Sequence, residues 1–299
     1  MKETVKKKFS NILAATDFSG PAHHAIERAA RISKDTGAAL TLLHVSEPAS
    51  IEVLKQLWSD QPTLSESEAV QAARQKLDEL AASLFEQYQI SARTRVVTGS
   101  FLSELAREAD SIAADLIVCG DSGGNAVQHL LVGTTAERII GNARSPVLIV
   151  KRTARESYRS VLVAVDLSTA SQRSVIEARA IAPSAEYVLL HAFDAPFAEK
   201  LKNAEVGEKL LTHYRATART QAAASVHTLS DNAGLPTERT RFSVLQGDPL
   251  RRILEHEQTH MLDLIVVARS GHRLLETLLV GSVTRHVVGR SRCDVLVSI

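Results

Sequence analysis

The second half of the chain restates the first. At an offset of about 148 residues, "NILAATDFS" (Asn11–Ser19) matches "SVLVAVDLS" (Ser160–Ser168), and "LTLLHVSEP" (Leu40–Pro48) matches "YVLLHAFDAP" (Tyr187–Pro196), the mark of a tandem duplication. The series continues with "VVTGS" (Val96–Ser100) against "VLQGD" (Val244–Asp248) and "DLIVCG" (Asp115–Gly120) against "DLIVVA" (Asp263–Ala268). It closes with "SPVLIV" (Ser145–Val150) against "CDVLVS" (Cys293–Ser298). Two domains follow, 1–152 and 157–299, with the polar stretch "KRTARESYRS" (Lys151–Ser160) as the connector. A chain of 299 residues with 44% hydrophobic side chains has material for both cores.

Within each repeat, short β-branched runs alternate with longer helical patterns, as in parallel strands joined by crossover helices. In repeat one the pattern predicts strands near 9–15, 38–45, 92–97, 115–119 and 146–151, with helices near 21–35, 66–89, 101–113 and 134–143. Pro21 behind Ser19 and Gly20, and Pro249 behind Asp248, are placed as first-turn prolines. The segment from Ala49 to about Leu64 has no clear period and is expected as an excursion. The fold class expected is α/β: two tandem Rossmann-like, doubly wound domains, each a five-stranded parallel sheet flanked by helices.

Lys plus Arg (35) nearly cancel Asp plus Glu (34), which leaves no global field to collect nucleic acid or anionic lipid. The opening "MKETVKKKFSNILAATDF" is basic but has no signal-peptide h-region, and no apolar run reaches transmembrane length. Cys119 and Cys293 match neither a metal spacing nor a disulfide framework. Together these features lead to the expectation of a cytoplasmic protein that binds neither nucleic acid nor membrane.

An open parallel sheet binds ligands beyond the carboxyl ends of its strands. After strand one stands Asp17, or Asp166 in repeat two. After strand four comes "CGDSGGNAVQHLLVGTTAERI", in which Gly120, two residues, Gly123, nine residues, Gly133 and Thr134 are spaced along the segment. Glycine admits positive φ and lets a phosphate approach backbone amides; Gly133, Thr134 and Thr135 fall where the next helix begins, so its free N–H groups and dipole favour an anion. Thr134 with Glu137 also spells an ordinary capping box, and a cap uses only part of the available donors. No lysine follows Gly133 as a P-loop requires, and the first strand ends in "ATDFSGP" rather than a dinucleotide fingerprint.

The glycine spacing, with "ATDFS", "LLHV" and "SPVLIV", resembles the nucleotide motif of the universal stress protein family, and the likeness spans nearly the whole chain. The resemblance implies ATP (or ADP or AMP), with Mg²⁺, as ligand. Ala15, Thr16, Asp17 and Val45 would lie on the base side, and Gly120, Ser122, Gly123, Gly133, Thr134 and Thr135 beside ribose and phosphates. Asp121, an anion next to the phosphates, must point away or work through Mg²⁺. In repeat two the corresponding residues are Asp166 and Ala192, then Ser270, Gly271, Gly281, Ser282 and Val283, with Ala268 in place of the first glycine and Arg269, His272 and Arg273 nearby. The resemblance also implies a closing-strand contact about a pseudo-twofold axis, within a monomer or in a homodimer. A nucleotide-binding regulator with an unknown protein partner, a slow ATPase or phosphotransfer enzyme using the same cleft, and a non-binding structural member all fit the residues.

"HEQTH" (His256–His260) spells the H-E-x-x-H of zinc peptidases, but the matching stretch of repeat one, Glu108–Ile112, has no histidine and nothing nominates a third ligand. A solvated helix face is expected, as for His23 and His24. His44 and His191, at matching places in strand two, are expected to bond to backbone, and Cys119 to be core. No Ser, His and Asp order forms a nucleophile elbow.

Overall fold

The computed structural model describes residues 9–47, 66–121, 134–193, 208–270 and 280–299. The chain divides into two compact units, 8–157 and 158–299. The first unit runs β1 (Asn11–Ala15), α1 (Gly20–Thr36), β2 (Ala39–Ser46), α2 (Glu66–Tyr88), β3 (Ala92–Thr98), α3 (Phe101–Ser111), β4 (Leu116–Gly120), α4 (Thr134–Asn142) and β5 (Val147–Val150). Its strands lie in the order β3-β2-β1-β4-β5, and every pairing among them is parallel. The second unit runs β6 (Ser160–Ala164), α5 (Thr169–Ile181), β7 (Glu186–Phe193), α6 (Glu208–Ala233), β8 (Thr240–Gln246), α7 (Pro249–Thr259), β9 (Leu264–Ala268), α8 (Ser282–Arg290) and β10 (Asp294–Ser298). Its order is β10-β9-β6-β7-β8, again parallel throughout.

The expected doubly wound α/β fold is therefore present twice. In each unit the winding reverses at the first strand: β1 has β2 on one side and β4 on the other, and β6 has β7 and β9. Because the central strands are covered on both faces, they read as unbroken apolar runs: Ile12 to Ala14, Leu116 to Val118 and Val147 to Val150 are all buried. Edge strand β3 instead alternates between half-buried and exposed positions.

Helix α1 shows why alanine is abundant. Its buried face is Ala22, Ala25, Ile26, Ala29, Ala30 and Ile32, small enough to bring the helix axis close to the sheet. Ser19 caps its start by accepting the Ala22 amide, and Gly37, at φ 72°, closes its end by donating to the Ser33 carbonyl. Asp115 and Asp263 explain the aspartate that opens each fourth strand. The Asp115 Oδ2 accepts the amides of Ser10 (2.8 Å) and Asn11 (3.1 Å), and the Asp263 Oδ2 accepts those of Arg159 (2.8 Å) and Ser160 (3.0 Å). In each case the carboxylate ties strand four to the entry of strand one.

The connector is not a bare tether. Arg28 Nη1 donates to the Glu156 carbonyl (2.7 Å) and Arg31 Nε to that of Ala154 (2.9 Å), which lays this stretch along α1. Tyr158 begins the second unit, its buried hydroxyl donating to Asp294 Oδ2 (2.7 Å). Among the described residues, no helix is long and apolar enough to cross a membrane.

Candidate functional site

The carboxyl ends of β1 and β4 are neighbours on either side of the reversal, and they carry Asp17 and Gly120. The backbone leaving β1 is tightly specified. Thr16 is buried, its amide donates to the Leu43 carbonyl (2.9 Å), and its Oγ1 accepts the Phe18 amide (2.9 Å). Phe18 adopts φ 64°, and the Asp17 Oδ1 accepts the Ser19 amide (2.9 Å). A non-glycine residue in the left-handed region is costly for its own chain segment, and here it turns the exposed Asp17 out at the sheet rim. Repeat two holds Leu167 at φ 65° in the same place.

His44 and His191 act on this same turn. The Nδ1 of His44 donates to the Thr16 carbonyl (2.9 Å) and that of His191 to the Val165 carbonyl (2.8 Å), as their strand position leads one to expect. The His44 ring also lies against Phe18, with centroids 4.6 Å apart. These histidines hold the turn from β2 and β7. Val45 and Ala192, the next residues along those strands, are half-buried at the rim.

Gly120 ends β4, but what clears its side chain is protein. A Cβ there would lie 2.8 Å from the Pro21 carbonyl carbon, 2.9 Å from its oxygen and 3.1 Å from its Cβ. The glycine lets the first turn of α1 close on strand four. In repeat two the corresponding pair is Ala268 and Ala170, so the lost glycine is matched by a lost proline. Just before Gly120, the buried Cys119 thiol is pushed up to about 12, first by burial and then by the Asp121 carboxylate; it is a core group, not a thiolate.

Helix α4 begins at Thr134, with Thr135 exposed in its first turn. Ser122, Gly123 and Gly133 lie outside the described residues, as do Gly271, His272, Arg273 and the side chain of Thr134. In repeat two, α8 begins at Ser282 behind Gly281, which offers no side-chain cap; Ser282 is exposed and Val283 half-buried. Gly281 donates its amide to the Arg269 carbonyl (2.8 Å), and Arg269 donates its own to the Ser298 carbonyl (2.7 Å). Ser270 is half-buried.

The model of the universal stress protein family matches the chain twice, over residues 8–151 and 157–298. The chain belongs to the universal stress protein family. A universal stress protein of Methanocaldococcus jannaschii is 29% identical over 150 residues, which is 50% of this chain and 85% of that relative. A counterpart from Staphylococcus aureus is 33% identical over 147 residues, 48% of this chain and 84% of its own. Among solved structures, a universal stress protein from Archaeoglobus fulgidus matches with a TM-score of 0.68 at 19% identity, covering 97% of this chain and 96% of that one. The double-length match repeats the two-unit fold in a second protein.

Away from the cleft, Glu257 of "HEQTH" is committed elsewhere: its Oε1 accepts the amides of Arg292 (2.6 Å) and Cys293 (2.8 Å). His256 and His260 stack on each other with centroids 4.1 Å apart, and the His260 Nδ1 donates to the His256 carbonyl (3.2 Å). Among the described residues no group of three or more His, Cys, Asp or Glu side chains is placed to hold a metal ion. The carboxylate that a zinc peptidase would use as base is here the anchor of the turn into β10.

Proposed function

We propose that the protein is a nucleotide-binding regulator, with an adenine nucleotide seated across the carboxyl ends of β1 and β4 in repeat one. The observation that carries this reading is the placement of Asp17, just beyond β1, and Gly120, at the end of the adjacent β4, where the winding reverses, which is where open α/β sheets receive ligands. Asp17 is exposed there and would accept the exocyclic amine of the base, and Thr134 and Thr135 open a helix whose first amides would receive an anion. Ser122, Gly123 and Gly133 would complete the cradle. With Asp121 at the rim, the phosphates would be held through Mg²⁺.

Regulation follows from occupancy rather than turnover: a bound nucleotide would bias the order of the loops around the cleft, and a protein partner would read the result. Calorimetry with ATP and Mg²⁺ tests the reading. The wild-type protein should bind ATP in preference to GTP, and Asp17→Ala should erase that preference while leaving the protein folded. Discrimination that survives in Asp17→Ala would remove this residue from base recognition, and absence of any binding heat would end the proposal.

A further inference from the structure

The strand order of the first unit ends at β3, which is paired with β2 along one side and, among the described residues, with no strand on the other. A cavity of about 320 Å³ opens at β3, lined by Arg74, Thr94, Arg95, Val96 and Val97. Two contacts fix which way the side chains of the strand face. Thr94 Oγ1 donates to Asp78 Oδ1 (2.7 Å) on α2, and Arg95 Nε donates to Glu108 Oε2 (3.1 Å) on α3. Alternation along the strand then puts Arg93 on the α3 face with Arg95. Arg74 precedes Asp78 by one helical turn, so it stands on the α2 face of the strand. Arg95 is committed to Glu108, a carboxylate only 5% exposed. Arg74 and Arg93 differ from it: both are exposed, and neither guanidinium has an ion-pair or hydrogen-bond partner among the described residues.

The second unit shows that the fold does not require this arrangement. Its end strand β8 carries Arg241 where β3 has Arg93, and there Glu186 at the start of β7 pairs with it (3.6 Å); the residue that starts β2 is Ala39. Buried Ala73 and Leu77 of α2 match buried Ala222 and Val226 of α6, so Arg74 matches Ala223 and Asp78 matches His227. The His227 ring lies over Phe242, the counterpart of Thr94, with centroids 3.8 Å apart. Arg95 is matched by Ser243. Each of the three arginines around the groove in repeat one is thus absent or neutralised at its place in repeat two.

An edge strand offers a row of main-chain donors and acceptors to any extended chain. Arginine on both faces decides which chain is accepted. A second copy of the same edge would bring like charge against like charge, whereas an acidic strand brings a carboxylate to each cation. We infer that the β3 edge is a docking groove for an extended acidic segment of a partner protein, which adds as a further strand beside β3 and sets carboxylates against Arg93 on one face and Arg74 on the other. Main-chain pairing supplies the hold, and the two arginines select the partner. The groove is two strands removed from β1, so the inference does not rest on the nucleotide reading.

The test is fluorescence anisotropy on the full chain with a short labelled peptide of valine and threonine that carries two adjacent glutamates, one for each face of an added strand. The wild-type protein should bind it, and replacing the glutamates by glutamine should weaken binding by at least about tenfold. Arg74→Glu/Arg93→Glu should lose a similar factor and should instead bind the peptide with lysines in place of the glutamates. That reversal also shows that the variant is folded. Arg241→Glu should change nothing, because Arg241 belongs to the other unit and is already paired. A peptide interrupted by prolines should bind at least about tenfold more weakly, since it cannot complete the ladder, and hydrogen exchange at Arg93 to Val97 should slow only with the uninterrupted one. The inference falls if wild-type protein shows no binding at about 1 mM peptide, if the double variant binds the glutamate peptide as the parent does, or if the proline peptide binds equally well. It falls as well if single-stranded oligothymidylate binds more tightly than the peptide and loses its affinity in the same double variant, which would make the edge a nucleic-acid surface.

Discussion

Gly120 and Pro21 approach so closely that a methyl group on the glycine would lie 2.8 Å from the proline carbonyl carbon. That contact packs the start of α1 directly against the end of β4. Gly120→Ala should therefore destabilise the first unit by about 1–3 kcal/mol, the usual cost of overpacking, measured by urea unfolding. Pro21→Ala added to it should recover part of the loss, because the first turn of the helix, released from the ring, can shift by a few tenths of an ångström. Repeat two already carries that combination as Ala170 and Ala268. A double variant no more stable than Gly120→Ala alone would show that the clash is with backbone that cannot move.

Asp115 and Asp263 lend themselves to a paired experiment. Each accepts two backbone amides at the entry to the first strand of its unit. Removing the acceptor leaves two N–H groups to water or to nothing, so Asp115→Ala and Asp263→Ala should each cost about 1–3 kcal/mol. Hydrogen exchange should show the loss where it arises, with faster exchange at Ser10 and Asn11 in the first variant and at Arg159 and Ser160 in the second. Uniform exchange across the chain would mean that the carboxylates do not act locally.

The sequence pattern located the elements well for a physical reason. Strands buried on both faces must be apolar at every position, so "NILAA", "LIVCG" and "VLIV" could be placed within about two residues from hydropathy alone. What stayed hidden depends on residues distant in sequence. Gly120 read as a phosphate approach because Pro21, which occupies the space, is far upstream. Ser171, whose hydroxyl donates to Asp166 Oδ1 (2.6 Å), passed unnoticed, although aligning it with Ala22 would have flagged a new hydroxyl close in sequence to Asp166. In "HEQTH" the histidines drew attention, while the residue with defined work was Glu257, whose partners arrive from the turn before β10.

The connector offers a third prediction. Arg31 donates through Nε to the Ala154 carbonyl and its guanidinium lies 5.1 Å from the Tyr88 ring centroid, which stiffens the side chain in place. Arg152 and Arg155, on either side of Ala154, are exposed. Arg31→Ala should free this stretch from α1 and make trypsin cleavage after Arg152 and Arg155 several-fold faster, at a stability cost of only about 0.5–1.5 kcal/mol. Mass spectrometry of the first fragments locates the cut. Unchanged cleavage would mean that Arg28 alone holds the connector.

A final prediction concerns pH and the stacked pair His256 and His260. Burial, and then the neighbouring His260, hold the His256 imidazole below its usual value of 6.5. Among the described residues the buried Nε2 of His256 has no hydrogen-bond partner, so a proton added there would lack an acceptor. The sign follows from the proton count: between the folded and unfolded values the unfolded chain binds more protons, so stability rises with pH in that window. The neutral ring's contribution is complete above about pH 6.5 and is lost as pH falls toward the folded value. Histidine resonances should show His256 titrating below its usual value, and His260→Ala should move it upward by removing the like charge, leaving only burial to depress it. His256→Gln should flatten the stability profile below about pH 6.5 while leaving the plateau above it in place. Were His256 to titrate at or above 6.5, the stack would have to be open in solution, and the acid limb of the stability profile would have to come from another group.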